Sequence, residues 1–241
     1  MRAGLFATAQ QAWRSLQGRG HDPQPAVVRL VDGKLEPPYS CEAIAAYQCN
    51  ISCARCNQAS PIRHRGYADP TTVRRDFSLL ARVYRASVVK IVGGEPLLHP
   101  DLPAVIRALR QSGISKKVLL LTNGMLLSRM TEETWRLLDA IEVSVYPDSG
   151  LDDQHMRTWT EAADRHGVAL RFVRFDRFRM TFSRSGTQDE DLVRRVYRTC
   201  RLAHVWGCQN IHQGYFYKCV QSIHVPAIVG APPESAVVPP K

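Results

Sequence analysis

Apolar residues along the chain come in short, nearly continuous runs separated by longer stretches with helical spacing. Residues 42–47 (EAIAAY), 88–92 (VVKIV), 117–121 (KVLLL), 141–146 (IEVSVY) and 170–175 (LRFVRF) read as strands. Residues 71–86, 102–112, 132–140 and 152–166, which lie between them, read as amphipathic helices. Strands this evenly apolar are buried on both faces, so the alternation predicts βαβ units and a parallel sheet. Right-handed crossovers curl such units into an open doubly wound sheet or toward a barrel, and periodicity alone does not choose between them. Ligand groups in parallel α/β architectures collect at the C-terminal strand ends, and the unusual segments of this sequence fall there.

The flanks differ. Residues 26–35 (AVVRLVDGKL) read as a hairpin turning at Asp32-Gly33, and Pro37-Pro38 lead into the main body. Ahead of them Leu5, Phe6, Ala9, Trp13 and Leu16 recur at helical spacing in an acid-poor stretch. An amphipathic helix packed on the domain is the expectation, and an organellar transit peptide is the competing reading. Residues 179–183 (RMTFS) make a weak sixth strand. Beyond Gln188 the βα rhythm stops: residues 189–198 form a helix, residues 200–220 hold three cysteines, and the Pro- and Ala-rich end reads as extended or disordered. The expected organisation is an N-terminal helix and hairpin (1–38), a core (39–188), a cysteine-rich segment (189–225) and a flexible tail (226–241).

With 44% hydrophobic and 22% charged residues, the 241-residue chain has a globular composition. At that size it needs no disulfides to fold, so its seven cysteines point to reduced thiols in a cytoplasmic protein. No apolar run approaches the ~18 residues of a membrane span. The net charge of +10 comes mostly from dispersed Arg, which suits solvated helix faces. No RNA-binding signature accompanies it, so nucleic acid is not an expected partner.

Chemistry concentrates where the first strand ends. Cys49, Cys53 and Cys56 lie within eight residues of one another, and thiolates are soft ligands for iron–sulfur clusters or zinc. Structural zinc sites usually present paired C-x2-C knuckles and four protein ligands. A four-iron cluster on three cysteines leaves one iron open for reaction. After the second strand comes Gly93-Gly94-Glu95-Pro96. Alone it is a tight turn, but paired glycines also let backbone approach a ligand, and Glu95 supplies an acceptor for an ammonium group. The third strand runs into Thr122-Asn123-Gly124, and the fourth carries Ser144.

The C-x3-C-x2-C spacing, followed in order by GGEP and by these two polar strand ends, resembles the radical S-adenosylmethionine (radical SAM) superfamily over residues 42–175. The resemblance implies a partial (β/α) TIM-like barrel of five to six parallel strands with a small cysteine-rich cap. It implies a [4Fe-4S] cluster on Cys49, Cys53 and Cys56, and S-adenosylmethionine beside Gly93, Gly94, Glu95, Pro96, Thr122, Asn123 and Ser144. The implied reaction is reductive cleavage to a 5′-deoxyadenosyl radical that abstracts hydrogen from a peptide, sugar, nucleoside or small metabolite. An electron donor such as flavodoxin or ferredoxin is implied as well. One departure is Arg55, where the family commonly places an aromatic residue; a guanidinium also stacks on a ring face.

Cys200-x13-Gly214-x4-Cys219 resembles the opening of the family's SPASM or Twitch extensions, which implies a second iron–sulfur cluster on Cys200, Cys208 and Cys219. Zinc, or no metal, is the alternative there, and Cys41 reads as structural. The histidines and Tyr146 have ordinary roles available, so no catalytic side chain is assigned. The rival from another class is a non-catalytic zinc or iron–sulfur module, binding RNA through its Arg-rich faces.

Overall fold

The computed structural model describes residues 28–36, 40–62, 65–176, 183, 185–204 and 208–230. The N-terminal amphipathic segment, Pro37-Pro38, nearly all of residues 179–183 and the tail beyond 230 lie outside the described residues.

Strands β1 (Arg29–Val31) and β2 (Lys34–Glu36) form the expected antiparallel hairpin. Asp32 and Gly33 both take left-handed backbone, at φ 49° and 73°, as a two-residue hairpin turn requires. The hairpin docks by backbone bonds from Leu35 to Val83 and from Arg85 to Leu35, at 2.8 and 2.9 Å.

The main sheet contains β3 (Cys41–Ala46), β4 (Val89–Gly93), β5 (Val118–Thr122), β6 (Ala140–Val145), β7 (Ala169–Arg174), β8 (Gln209–His212) and β9 (Tyr215–Tyr217). They lie in the order β7-β6-β5-β4-β3-β8-β9. All neighbours are parallel except β8 and β9. Five of the parallel strands are those expected, each within two residues at either end. Among the described residues the sheet is open, with β7 and β9 at its edges and no closed barrel, so the architecture is a mostly parallel α/β sheet matching a partial TIM-like fold.

The sixth parallel strand comes from the cysteine-rich segment. β8 pairs with β3, Gln209 opposite Cys41 and Asn210 opposite Glu42, on the side away from β7. Its sequence, QNIH, has no apolar run. Instead Asn210 is buried and its amide donates to Glu42 and to the Cys208 carbonyl, so pairing comes from polar contacts.

Helices α1 (Pro70–Leu80), α2 (Leu102–Ser112), α3 (Glu132–Leu137), α4 (Asp153–His166), α5 (Glu190–Thr199), α6 (Arg201–His204) and α7 (Gln221–Val229) complete the described structure. Asp69, Asp101, Thr131, Asp152 and Asp189 each accept a backbone N–H in the first turn of the helix that follows, which fixes where it starts. The main core packs Phe77, Ile91, Val105, Ile106, Leu109, Leu120 and Ile141 between sheet and helices.

Two helices are shorter than their patterns. α1 stops at Leu80 because residues 81–83 turn toward the hairpin, and α3 stops at Leu137, short of the expected residue 140. Asp139 explains the second: its Oδ2 accepts from Val118 N and from Arg110, both at 2.8 Å, turning the chain into β6. Replacing Asp139 with Ala removes both bonds and is expected to cost ~1–3 kcal/mol. Asn, which retains one acceptor, should cost less; urea unfolding of the two variants measures the difference.

Candidate functional site

The C-terminal ends of β3 to β6 meet on one side of the sheet. After Ala46 the chain leaves β3 as a loop carrying Cys49, Cys53 and Cys56, three part-exposed cysteines outside any disulfide. This loop is anchored by the end of β4. Gly94 N donates to Ala46 O at 2.8 Å and Glu95 N to Gln48 O at 2.9 Å. The two glycines make the approach feasible: a Cβ at Gly93 would stand 2.2 Å from Ala46 O, and one at Gly94 2.0 Å from Gln48 O. The expected close approach of backbone is present, and what it meets is the stem of the cysteine loop.

Glu95 lies fully buried between β4 and β5. Its Oε1 accepts from Thr122 Oγ1 at 2.7 Å and Leu97 N at 3.0 Å, and its Oε2 from Asn123 N at 2.8 Å. Burial raises its pKa to about 7, while the bonds from Asn123, Leu97 and Thr122 hold it down. Sequence reasoning offered Glu95 as an acceptor for a ligand ammonium; in the structure its carboxylate accepts from three donors of the chain itself. Pro96 opens the short 3-10 turn that Glu95 caps.

Asn123 links this staple to the thiols. Its Nδ2 lies 2.7 Å from Asn50 Oδ1 and 3.7 Å from Cys49 Sγ, and its Oδ1 accepts from Met125 N. Burial pushes the Cys49 thiol up; the Ile51 amide lowers it, Glu95 and Cys56 raise it, and Asn123 lowers it. Ser144, buried near the end of β6, hydrogen-bonds Tyr146. Burial raises the Tyr146 phenol, Ser144 opposes this, and Cys53, Cys56 and Cys49 add to the rise, so the phenol is within electrostatic reach of the triplet. Arg55 is exposed and holds a left-handed conformation, φ 61°.

The sequence-predicted residues Cys49, Gly93, Gly94, Glu95, Thr122 and Asn123 therefore form one connected group, and Ser144 hydrogen-bonds Tyr146. Sequence reasoning weighed Tyr146 without giving it a role, and it missed the Asn50–Asn123 bridge and Gln221 of α7, whose amide donates to Asn57 O in the cysteine loop at 2.8 Å. None has a local signal, because each depends on which strand ends become neighbours.

The second cysteine group is carried by α5, β8 and the segment after β9. Cys200 ends α5 and Cys208 precedes β8, while Cys219 lies 3.5 Å from Ser222 Oγ. Burial, and then the Glu42 charge, push the Cys208 thiol well up. Among the described residues no three His, Cys, Asp or Glu side chains are gathered tightly enough to hold a metal ion, in this group or in the first.

Comparison with known proteins decides the family. Residues 44–173, more than half the chain, match the model of the "Radical SAM superfamily". The chain belongs to the radical SAM superfamily. Its matched span holds Cys49, Cys53, Cys56, the Gly93-to-Pro96 turn, Thr122, Asn123 and Ser144, and ends before Cys200. The cofactors of radical SAM proteins are a [4Fe-4S] cluster and S-adenosylmethionine. "Probable GTP 3',8-cyclase" of Sulfurisphaera tokodaii is 36% identical over 126 residues, 48% of this chain and 37% of that protein. "GTP 3',8-cyclase" of Klebsiella pneumoniae is 34% identical over 106 residues, 40% of this chain and 31% of that protein. The chain spans about a third of the length of the curated relatives it matches. Similar solved structures include Streptococcus suis SuiB bound to S-adenosylmethionine, with TM-score 0.45, 19% identity, and 69% and 39% of the two chains covered. Another is BtrN in complex with AdoMet and 2-DOIA, with TM-score 0.42, 17% identity and 56% of each chain covered.

Proposed function

We propose that this chain is a radical SAM enzyme in which Cys49, Cys53 and Cys56 hold the [4Fe-4S] cluster, and that the ends of β4, β5 and β6 form the S-adenosylmethionine site. The observation that carries the reading is the single hydrogen-bonded group joining Cys49, Asn123, Thr122 and Glu95 across three strand ends. The donor set fits: three cysteines outside any disulfide on one loop supply soft thiolate ligands and leave a fourth position open. Directly after Cys56, the side-chain oxygens of Asn57, Gln58 and Ser60 are buried without a hydrogen-bond partner among the described residues, as in a loop shaped around something more than protein.

The chemistry supplied when both cofactors are bound is one-electron reductive cleavage to methionine and a 5′-deoxyadenosyl radical, which takes a hydrogen atom from the substrate. The protein's own share is positional. Gly93 and Gly94 clamp the cysteine loop, Glu95 locks β4 to β5, and Asn123 contacts Cys49. An anionic small molecule of the nucleotide class is the proposed substrate. The names of the relatives and the excess of 32 Lys+Arg over 22 Asp+Glu support it. The electron donor is a flavodoxin- or ferredoxin-type protein.

Iron and sulfide analysis of anaerobically reconstituted protein tests the metal assignment. About four irons per chain are expected for one cluster, with most of this iron lost in Cys53→Ala. Stoichiometric zinc without iron contradicts the assignment.

A further inference from the structure

A second group of reactive side chains lies where β3, β8 and β9 adjoin. Cys208, just before β8, hydrogen-bonds through its thiol to the carboxylate of Glu42 on β3, and Glu42 is buried. Two further bonds fix the Cys208 backbone. Its N–H donates to Leu202 O at 3.2 Å, and its carbonyl accepts from Asn210 Nδ2 at 2.9 Å. Burial raises Glu42 from the ordinary carboxylate range, while Lys90, opposite it in the β3–β4 register, and the bonds from Cys208 and Asn210 draw it down. A carboxylate hydrogen-bonded to a thiol is placed to take the thiol proton.

The hairpin supplies a second thiol. β8 and β9 pair with His212 opposite Tyr215, Ile211 opposite Phe216 and Asn210 opposite Tyr217. Continued two places outward, the same register sets Cys208 opposite Cys219, and the charge of Cys219 is felt at Cys208. Opposed residues of an antiparallel pair have Cβ atoms about 4.5–5.5 Å apart, and a disulfide needs about 3.5–4.5 Å, so a small adjustment joins the two. Both cysteines lie outside any disulfide in this structure. Cys219 leads into α7: Ser222 N donates to Cys219 O at 3.2 Å, and Ser222 Oγ lies 3.5 Å from its Sγ. Gln221, two residues on, holds the cysteine loop at Asn57 O.

We propose that Cys208 and Cys219 form a reversible dithiol–disulfide pair, oxidised by low-molecular-weight disulfides of the glutathione class, with Glu42 as the base for Cys208. In the first step the Cys219 thiolate attacks the small disulfide, forms a mixed disulfide and releases one small thiol. In the second, Glu42 takes the Cys208 proton and the Cys208 sulfur attacks the Cys219 sulfur. The second small thiol leaves and collects that proton. The two protein thiols lose two electrons and two protons, and the small disulfide becomes two thiols. An excess of small thiol reverses the sequence.

The test equilibrates the anaerobically reconstituted full chain with oxidised and reduced glutathione, then quenches, alkylates and maps the peptides by mass spectrometry. A Cys208–Cys219 linkage is expected, reversed by dithiothreitol and with no change in bound iron. Cys208→Ser should stop at a stable glutathione adduct on Cys219. Glu42→Gln should slow closure by about tenfold or more while the adduct on Cys219 forms at the wild-type rate, a split that a general loss of structure does not produce. Absence of the linkage at every glutathione ratio overturns the proposal. Iron lost in Cys208→Ser overturns it too, because these cysteines would then be cluster ligands. Closure at the wild-type rate in Glu42→Gln, or equal slowing of both steps, refutes the role of Glu42.

Discussion

Gly94→Ala is expected to destabilise the protein by more than ~4 kcal/mol and to strip the cysteine loop of its iron. The added Cβ would stand 2.0 Å from Gln48 O, 2.3 Å from Gln48 C and 2.9 Å from Cys49 N. All three are backbone atoms, so no side chain can swing aside. Relief requires moving either the end of β4, which also carries Glu95, or the stem of the loop next to Cys49. Gly113→Ala is the control. Gly113 also has positive φ, 72°, but nothing lies within 4 Å of its new Cβ, so only the conformational cost of ~1–2 kcal/mol applies. Urea unfolding with iron analysis should separate the two variants in both readouts. Equal stability losses would mean that β4 does not clamp the loop as described.

Glu95→Ala should cost ~3–5 kcal/mol, because it leaves Asn123 N, Leu97 N and the Thr122 hydroxyl without their buried acceptor and opens a cavity as well. Glu95→Gln keeps the shape but turns an amide NH2 toward a donor, and should cost ~1–3 kcal/mol. The carboxylate also predicts a pH dependence. Its pKa of about 7 in the folded protein lies above the ordinary 4.5, burial outweighing the three donors. The folded state thus holds a proton that the unfolded chain releases first. Its contribution is greatest below pH 4.5, declines as pH rises toward about 7, and is level above that. Stability of wild type relative to Glu95→Gln should fall across this window. A rise would show that the three donors win over burial and hold Glu95 as an anion.

The core of this fold was legible because its strands are short apolar runs, such as VVKIV and KVLLL, and because helical spacing fills the stretches between them. What escaped was decided by tertiary contacts. β8 has too few apolar residues to register as a strand, and its place beside β3 rests on Asn210 and Glu42. The end of α3 is set by Asp139 reaching Arg110 and Val118. The site was legible as a set of residues, since the thiol spacing and the Gly-Gly-Glu turn are local patterns, but less so in its roles. Gly93 and Gly94 were read as making room for a ligand, and in the structure they make room for Ala46 and Gln48. Tyr146 reads from the sequence as an ordinary strand-end tyrosine, and the fold brings its phenol within electrostatic reach of the three thiols.

The most direct test of the central claim is 5′-deoxyadenosine formation by anaerobically reconstituted, reduced protein given S-adenosylmethionine. The account predicts that wild type forms it and that Cys53→Ala, folded to a similar stability, falls to background. Equal formation by the two proteins, or none by an iron-loaded, reduced wild type, would contradict it.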